Sequence, residues 1–505
     1  MEPWPLYLYY ALFALLSVHG LHRAVLVAGL LRRRRSPPST AIGTATETPS
    51  VTVQLPIFNE LYVAERLIDS VAALDWPAEK LEIQVLDDSN DETATIVAAK
   101  VADLQKRGVR IEHLRRETRD GYKAGALANG LSTATGNYVA IFDADFVPQS
   151  DFLQRTVPFL EADAGVALVQ ARWDWTNRQH SLLTNLQAVF LDAHFAVEHE
   201  GRERAGHFIN FNGTAGVWRR SSIDAAGGWS HDTVTEDLDL SFRAQMAGLR
   251  FKYLHEVGVP SELPIEMNAF KTQQRRWSQG SLETARKLLV PLMSRRSLPL
   301  GVRLEGAMHL LSTTAYALLF AASVLALPAA MASAHANVSW THMADVWLVG
   351  VGLLPVAVYF LVGQLRVGRG VLRTIVALPA TLALGIGISF NNSLALLTAG
   401  KRSTFVRTPK YQAVRRSDTW LGKRYLATCG LAPVGELVLA AACSLAVVIA
   451  WQSGRFGFAA FLSLFASGYL WVGSASLFPG FCERLRRGAA SPSEPTPFSP
   501  ARTST

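Results

Sequence analysis

From about Met308 to Phe478 the sequence runs in long apolar stretches with few charges, near 308–332, 346–363, 431–451 and 456–478. A helix of about 20 apolar residues crosses a hydrocarbon core about 30 Å thick. Lipid offers the backbone no hydrogen-bond partner, so such stretches fold as helices or not at all. The opening stretch "WPLYLYYALFALLSVHGLHRAVLVAGLLRRRR" is also apolar, and its arginines follow the apolar run rather than precede it. That order predicts a permanent anchor over 1–35, N-terminus outside and arginines in the cytoplasm, not a cleaved leader. Arg23 interrupts the run, so either the span is shorter or the side chain snorkels to the interface. A further apolar stretch at 374–398 lies between the basic loops "QLRVGRGVLR" and "GKRSTFVRTPKYQAVRR". One crossing there would leave a basic loop outside, so it is expected to lie in the interface or re-enter, giving about five crossings. A plain transmembrane helix is the competing reading.

Residues 36–50 are small, polar and proline-bearing, and read as a linker. From 51 to 290 the pattern changes to strands alternating with helices. "VTVQLP", "LEIQVLDD", "VRIEHL" and "YVAIFDAD" read as strands; "AERLIDSVAAL", "ETATIVAAKVADLQKRG" and "KAGALANGLSTA" read as helices. This alternation predicts an α/β domain with a mixed, mostly parallel sheet, whose ligands sit at the carboxyl ends of the strands. The remainder divides into a helical membrane region over 291–480, with interface helices, about four spans and a loop at 401–425, and a disordered cytoplasmic tail over 481–505.

The formal net charge of +8 does not point to nucleic acid. Its cations cluster at the ends of apolar segments, in "LRRRRS", "QLRVGRGVLR" and "CERLRR", where topology accounts for them, and no nucleic-acid motif is present. Cys429, Cys443 and Cys482 are too far apart for a metal spacing or a disulfide framework.

Two strands run into acid pairs. Asp143 and Asp145, in "DAD", are spaced to share a hard divalent cation with diphosphate oxygens, although a capping turn explains an isolated pair equally well. Asp87 and Asp88, in "VLDDSND", can accept from a base N–H or a ribose hydroxyl; an Asx-rich turn is the plainer alternative. In "QLPIFNE", Pro56 and Phe58 shape an edge for a nucleobase and Glu60 can meet a ribose. Lys123, in "GYKAGAL", opens a helix whose free amides suit an anion. Glu236, Asp237 and Asp239 crowd the first turn of another helix, where the dipole favours acids and where a general base can also stand. In "KTQQRRWSQGS", helical spacing brings Gln273, Arg276 and Trp277 to one face. That face suits either a sugar site or a bilayer interface.

Taken in order, "LDDSND", "DAD", "TED" and "QQRRW" resemble the D, DxD, TED, QxxRW signature of processive family 2 glycosyltransferases, which include the cellulose, hyaluronan and chitin synthases. "VTVQLPIFNE", "VQARW", "FNGTAGVWRR" and "GGWSHDTVTEDLDLSFRA" are similar in particular to the cellulose synthase-like A branch, the glucomannan 4-β-mannosyltransferases. The resemblance implies a GT-A domain, with Mg²⁺ or Mn²⁺ on Asp143 and Asp145. Pro56, Phe58, Glu60, Asp87, Asp88, Lys123, Asp143, Gln273 and Arg276 would hold the nucleotide sugar, GDP-mannose or UDP-glucose. Asp237 would act as base beside Glu236. Trp277, Asn212, Gly213 and Thr214 would meet a polysaccharide acceptor. "FVRTPK", with Phe405, Thr408 and Lys410, resembles a gating loop, although it departs from the usual FxVT wording.

The expected protein is thus a multi-pass enzyme of a plasma, inner or Golgi-type membrane, with its catalytic domain cytoplasmic. It would extend a β-1,4-glycan and export it through its spans. Transfer of a single sugar to a polyprenyl phosphate is one rival; a non-catalytic scaffold or pore is another.

Overall fold

The computed structural model describes residues 4–32, 48–334, 345, 347–400, 406–427 and 430–489. Most of the expected linker, Phe405, Cys429 and the end of the tail lie outside the described residues.

Seven strands form one sheet in the order β3-β2-β1-β4-β6-β5-β7. They are β1 (Val51–Ile57), β2 (Leu81–Asp87), β3 (Ile111–Leu114), β4 (Tyr138–Ile141), β5 (Val166–Trp175), β6 (Gly216–Arg219) and β7 (Arg250–Ser261). Neighbours pair in parallel except at β6, which runs antiparallel to both β4 and β5. The mixed, mostly parallel sheet is therefore as expected. Val51, Val53 and Leu55 on β1 with Ile83 and Val85 on β2 share one apolar face, while Thr52, Gln54, Glu82 and Gln84 are buried on the other and hydrogen-bond in pairs.

Register brings the site loops together. Ile57 stands opposite Asp87, so β1 and β2 end level. The loops beyond them are laced: Asn59 N donates to Ser89 Oγ at 2.8 Å, and Asn59 Nδ2 to Asn90 Oδ1 at 2.8 Å. β4 ends earlier than "YVAIFDAD" suggests. Phe142 N still reaches Gln54 O, but Asp143 N turns to Thr214 Oγ1 at 2.9 Å. That exchange of a ladder bond for a side-chain oxygen places Asp143 and Asp145 in a turn past the strand.

The expected domain edge at 290 falls inside one helix, Met267–Ser294. Glu266 caps it, its carboxylate accepting from Ala269 N at 2.8 Å and Asn268 N at 3.1 Å. This helix carries Gln273, Arg276 and Trp277, and it is also tied to the apolar helices. Lys271 Nζ lies 2.6 Å from Glu436 Oε1, and Asn391 Nδ2 donates to Lys271 O at 3.1 Å.

Among the described residues, five helices are long and apolar enough to cross a membrane: Trp4–Arg32, Thr314–Ser333, Val371–Thr398, Ala432–Gln452 and Phe456–Phe478. The number matches the expectation, but one member differs. The 346–363 stretch forms only a shorter apolar helix, Gly350–Arg366, whereas 374–398, expected in the interface or re-entrant, has full spanning length. This segment packs tightly on the last span: a Cβ on Gly387 would fall 2.4 Å from Gly468 O. Small residues permit such backbone contact between apolar helices. Arg23 does not snorkel; it turns inward to pair with Glu198 and lies 4.9 Å from the centre of the Tyr359 ring.

Candidate active site

A cavity of about 170 Å³ opens where β1, β2 and β4 end. Pro56, Phe58, Glu60, Asp88, Lys123, Asp143, Asp145, Asn212, Gly213, Glu236, Asp237, Gln273, Arg276, Trp277, Thr408 and Lys410 all line it. Residues as distant as Pro56 and Lys410 in the sequence thus meet on one surface. Two expected members do not line it. Asp87 is buried beneath, accepting from Ser89 N at 2.8 Å and standing 2.8 Å from His113 Nε2, so it shapes the loop that presents Asp88. Thr214 is buried behind Asp143 and holds its amide. Asp239 also turns away, to Arg243 Nε at 2.8 Å and Lys287 Nζ at 2.8 Å.

Each carboxylate of the DAD turn holds a lysine. Lys123 Nζ donates to Asp143 Oδ1 at 2.5 Å and to Gly213 O at 2.8 Å. Lys410 Nζ donates to Asp145 Oδ2 at 2.7 Å and to Glu262 O at 2.8 Å. Two hard carboxylates facing one cavity suit Mg²⁺ or Mn²⁺, which take oxygen ligands. Among the described residues no cluster of three or more His, Cys, Asp or Glu side chains is arranged for a metal. Asp143 and Asp145 alone would leave most of the oxygen ligands of such a cation to come from outside these two side chains.

Asp237 lines the same cavity as this turn. Gly213 has φ +79°, and a Cβ there would lie 3.0 Å from Asp237 Oδ2 and 3.2 Å from Lys123 Nζ. The positive φ favours glycine here, and a Cβ would crowd both groups. Burial pushes the Asp237 carboxyl well above the usual range; the Glu236 carboxylate adds to this, and Lys123 opposes it. Burial also raises Glu236, again against Lys123. Burial lowers Arg276, and the charges of Asp143, Glu236, Asp237 and Asp145 oppose that shift. Arg276 thus joins Lys123 and Lys410 as the cations facing these four acids.

Asn212, Asp237 and Trp277 also line a second, larger cavity of about 480 Å³. It extends past Arg23, Tyr316, Tyr359 and Phe465 among the apolar helices. At the junction Asn212 is held by two histidines. Its Oδ1 lies 3.2 Å from His194 Nε2, and its Nδ2 lies 3.0 Å from His199 Nε2. The imidazoles approach to 3.1 Å. A donating Nε2 on His194 and an accepting one on His199 satisfy the two contacts to Asn212. Burial pushes His194 down to about 3 and His199 lower than usual, so both are neutral near pH 7.

Residues 138–363 match the family described as glycosyl transferase family group 2. The chain carries a family 2 glycosyltransferase domain. It is 42% identical over 306 residues to glucomannan 4-beta-mannosyltransferase 1 of Oryza sativa subsp. japonica, covering 58% of each chain. It is 45% identical over 249 residues to glucomannan 4-beta-mannosyltransferase 2 of Arabidopsis thaliana, covering 48% of this chain and 47% of that one. The chain thus spans less than three fifths of these curated relatives. A solved mannosyltransferase from Pyrobaculum calidifontis, in complex with GDP-Man and Mn²⁺, has a TM-score of 0.53 at 21% identity, covering 71% of this chain and 98% of that one. At that identity the likeness establishes the GT-A fold.

The region around the cavity also holds residues that motif reading passed over. Arg119 stacks over Phe58, its guanidinium carbon 3.4 Å from the ring centre. Arg116 clamps Asp88 through Nε at 3.0 Å and Nη2 at 2.5 Å. Arg407 lies inside "FVRTPK" between the residues singled out there. Its Nη1 is 2.9 Å from Glu60 Oε2, and its guanidinium carbon lies 3.9 Å from the Tyr425 ring centre. An excess of arginine over 115–119 was a readable signal for the first two; His194 and His199 carried none, because a buried histidine is ordinary.

Proposed function

We propose that this protein is a membrane-embedded, inverting, processive β-glycosyltransferase. It moves hexose from GDP-mannose or UDP-glucose onto a growing β-1,4-glycan: a mannan, glucomannan or glucan. The observation that carries this reading is that Asp237 and Trp277 line both the acid-rich cavity and the larger one among the apolar helices. A donor held in the first cavity and a polymer end entering from the second would meet at those two residues.

The chain's own groups then divide the work. Phe58, Asp88 and Arg119 receive the nucleoside, and Lys123 and Arg276 face the diphosphate. Asp143 and Asp145 would hold Mg²⁺ or Mn²⁺, which supplies charge neutralisation of the departing diphosphate. The Trp277 indole offers an apolar face to the terminal sugar of the acceptor. Asp237 takes the proton from the acceptor hydroxyl as that oxygen bonds to the anomeric carbon and the bond to the diphosphate breaks. Attack opposite the leaving group turns the α-linked donor sugar into a β-linked one. Burial suits Asp237 to this task, because a carboxyl with a raised pKa is a stronger base once ionised. The catalytic domain faces the cytosol, where nucleotide sugars are made, and the second cavity leads the product outward.

Incubating purified protein with radiolabelled GDP-mannose and UDP-glucose, followed by linkage and size analysis, tests the reading. β-1,4-linked polymer is expected. A single sugar on a polyprenyl phosphate would replace this reading with its rival. In sealed vesicles, polymer only on the nucleotide side would refute export.

A further inference from the structure

A third cavity, of about 710 Å³, lies away from the catalytic centre, between the Leu182–Ala193 helix and the start of the Val371–Gly387 helix. Arg178, Arg369, Arg373 and Arg416 line it with His180, and among the described residues no carboxylate does. Arg178 forms a fixed floor: it pairs with Asp192 and donates to Gln364 Oε1 at 2.6 Å. Asp192 is thereby engaged, since Gln364 Nε2 also donates to it at 2.9 Å. Arg416 spends Nε on Gln179 O at 3.0 Å. Arg369 and Arg373 are exposed and have no acid partner among the described residues. Burial and the charges of Arg178 and Arg373 lower Arg369, with Asp192 and Asp174 opposing. His180 leaves a buried Nδ1 without a partner among the described residues. Arg369 and Arg373, like charges without an acid partner among the described residues, favour an anion beside them.

The surroundings say which anion. Arg369 precedes, and Arg373 begins, a helix of spanning length, so both stand at headgroup depth. Leu182 (57% exposed), Leu372 (74%) and Val376 (72%) flank the cavity with bare apolar surface. A soluble anion has no use for that surface; an acyl chain does.

We propose that this cavity binds the phosphate of an anionic phospholipid headgroup, its acyl chains lying along Leu372 and Val376. Guanidinium forks match phosphate oxygens in pairs. The inference is independent of the catalytic reading.

The test uses full-length protein in detergent, titrated with short-chain phosphatidylglycerol, phosphatidylcholine or inorganic phosphate and read by native mass spectrometry. Phosphatidylglycerol should bind, and Arg369→Gln/Arg373→Gln should weaken it roughly tenfold or more. Phosphatidylcholine should bind equally poorly to both proteins, and equimolar inorganic phosphate should not displace the lipid. Unchanged phosphatidylglycerol affinity in the variant would overturn the proposal. So would inorganic phosphate binding as tightly as the lipid, which would mark a free-anion site. If the double variant fails to fold, Arg416→Gln, outside the helices, should weaken binding by a smaller factor, and unchanged affinity there counts against the proposal in the same way.

Discussion

Lys410 Nζ stands 2.7 Å from Asp145 Oδ2, across 265 residues of sequence. A divalent cation on Asp145 would compete with this ammonium for the same oxygen. Lys410→Met should therefore strengthen binding of Mn²⁺ alone by about tenfold, or about 1.4 kcal/mol. Titration of the Mn²⁺ paramagnetic resonance signal measures this. Unchanged affinity would place the cation elsewhere.

Asp237 must be ionised to accept a proton, and burial beside Glu236 raises its carboxyl. The acid limb of kcat/KM should thus lie well above the ordinary aspartate value of about 3.9, with activity rising as pH rises through it. Asp237 and Glu236 interact closely enough that this limb belongs to the pair. Asp237→Asn should lower turnover by about 10²-fold to 10⁴-fold and remove the limb. Retained turnover would assign the base to another group.

How much of this was legible in sequence depended on distance along the chain. The sheet could be read because apolar runs bounded by turn residues alternate with amphipathic helices. Asp143, Asp145, Asp237 and Trp277 could be named because their order is itself a pattern. What sequence could not give was partnership. Lys410 and Arg407 reach Asp145 and Glu60 only through folding, and nothing near Asp87 distinguishes it from Asp88, although one is buried and the other faces the cavity. Arg23 reads as a flaw in an apolar run until Glu198 is seen beside it. The 374–398 stretch, expected in the interface or re-entrant, has full spanning length for a reason that loop charge does not carry. Loop charge argued against a crossing, and charge counting is blind to the close backbone contact at Gly387 and Gly468.

Glu60 supports a titrating latch. Burial raises it to about 7 against the pull of Arg407, its partner at 2.9 Å. Below that pH the carboxyl is increasingly neutral and the ion pair weakens; above it the pair is charged and holds. Hydrogen exchange over 406–427, corrected for intrinsic rates, should slow as pH rises through about 7. Glu60→Gln should flatten that dependence. A pH dependence that survives the substitution would move the latch to another pair.

Lys271 and Glu436 tie the helix bearing Gln273, Arg276 and Trp277 to the apolar Ala432–Gln452 helix. The ammonium and carboxylate are 2.6 Å apart, with Ser476 Oγ accepting from Lys271 at 3.1 Å. Both side chains are almost fully buried, at 4% and 0% exposure, so neither charge has water to fall back on. Removing one partner should cost about 3–5 kcal/mol, because the other remains charged or must neutralise in place. Replacing both with apolar groups should recover most of that loss. Glu436→Leu alone is therefore expected to lower the unfolding temperature in detergent much more than Lys271→Met with Glu436→Leu. If the pair also positions the helix, the double variant should regain stability yet keep a raised KM for donor, since its packing no longer fixes the helix by charge. Equal unfolding temperatures for the single and double variants would show that the two charges do not stabilise one another.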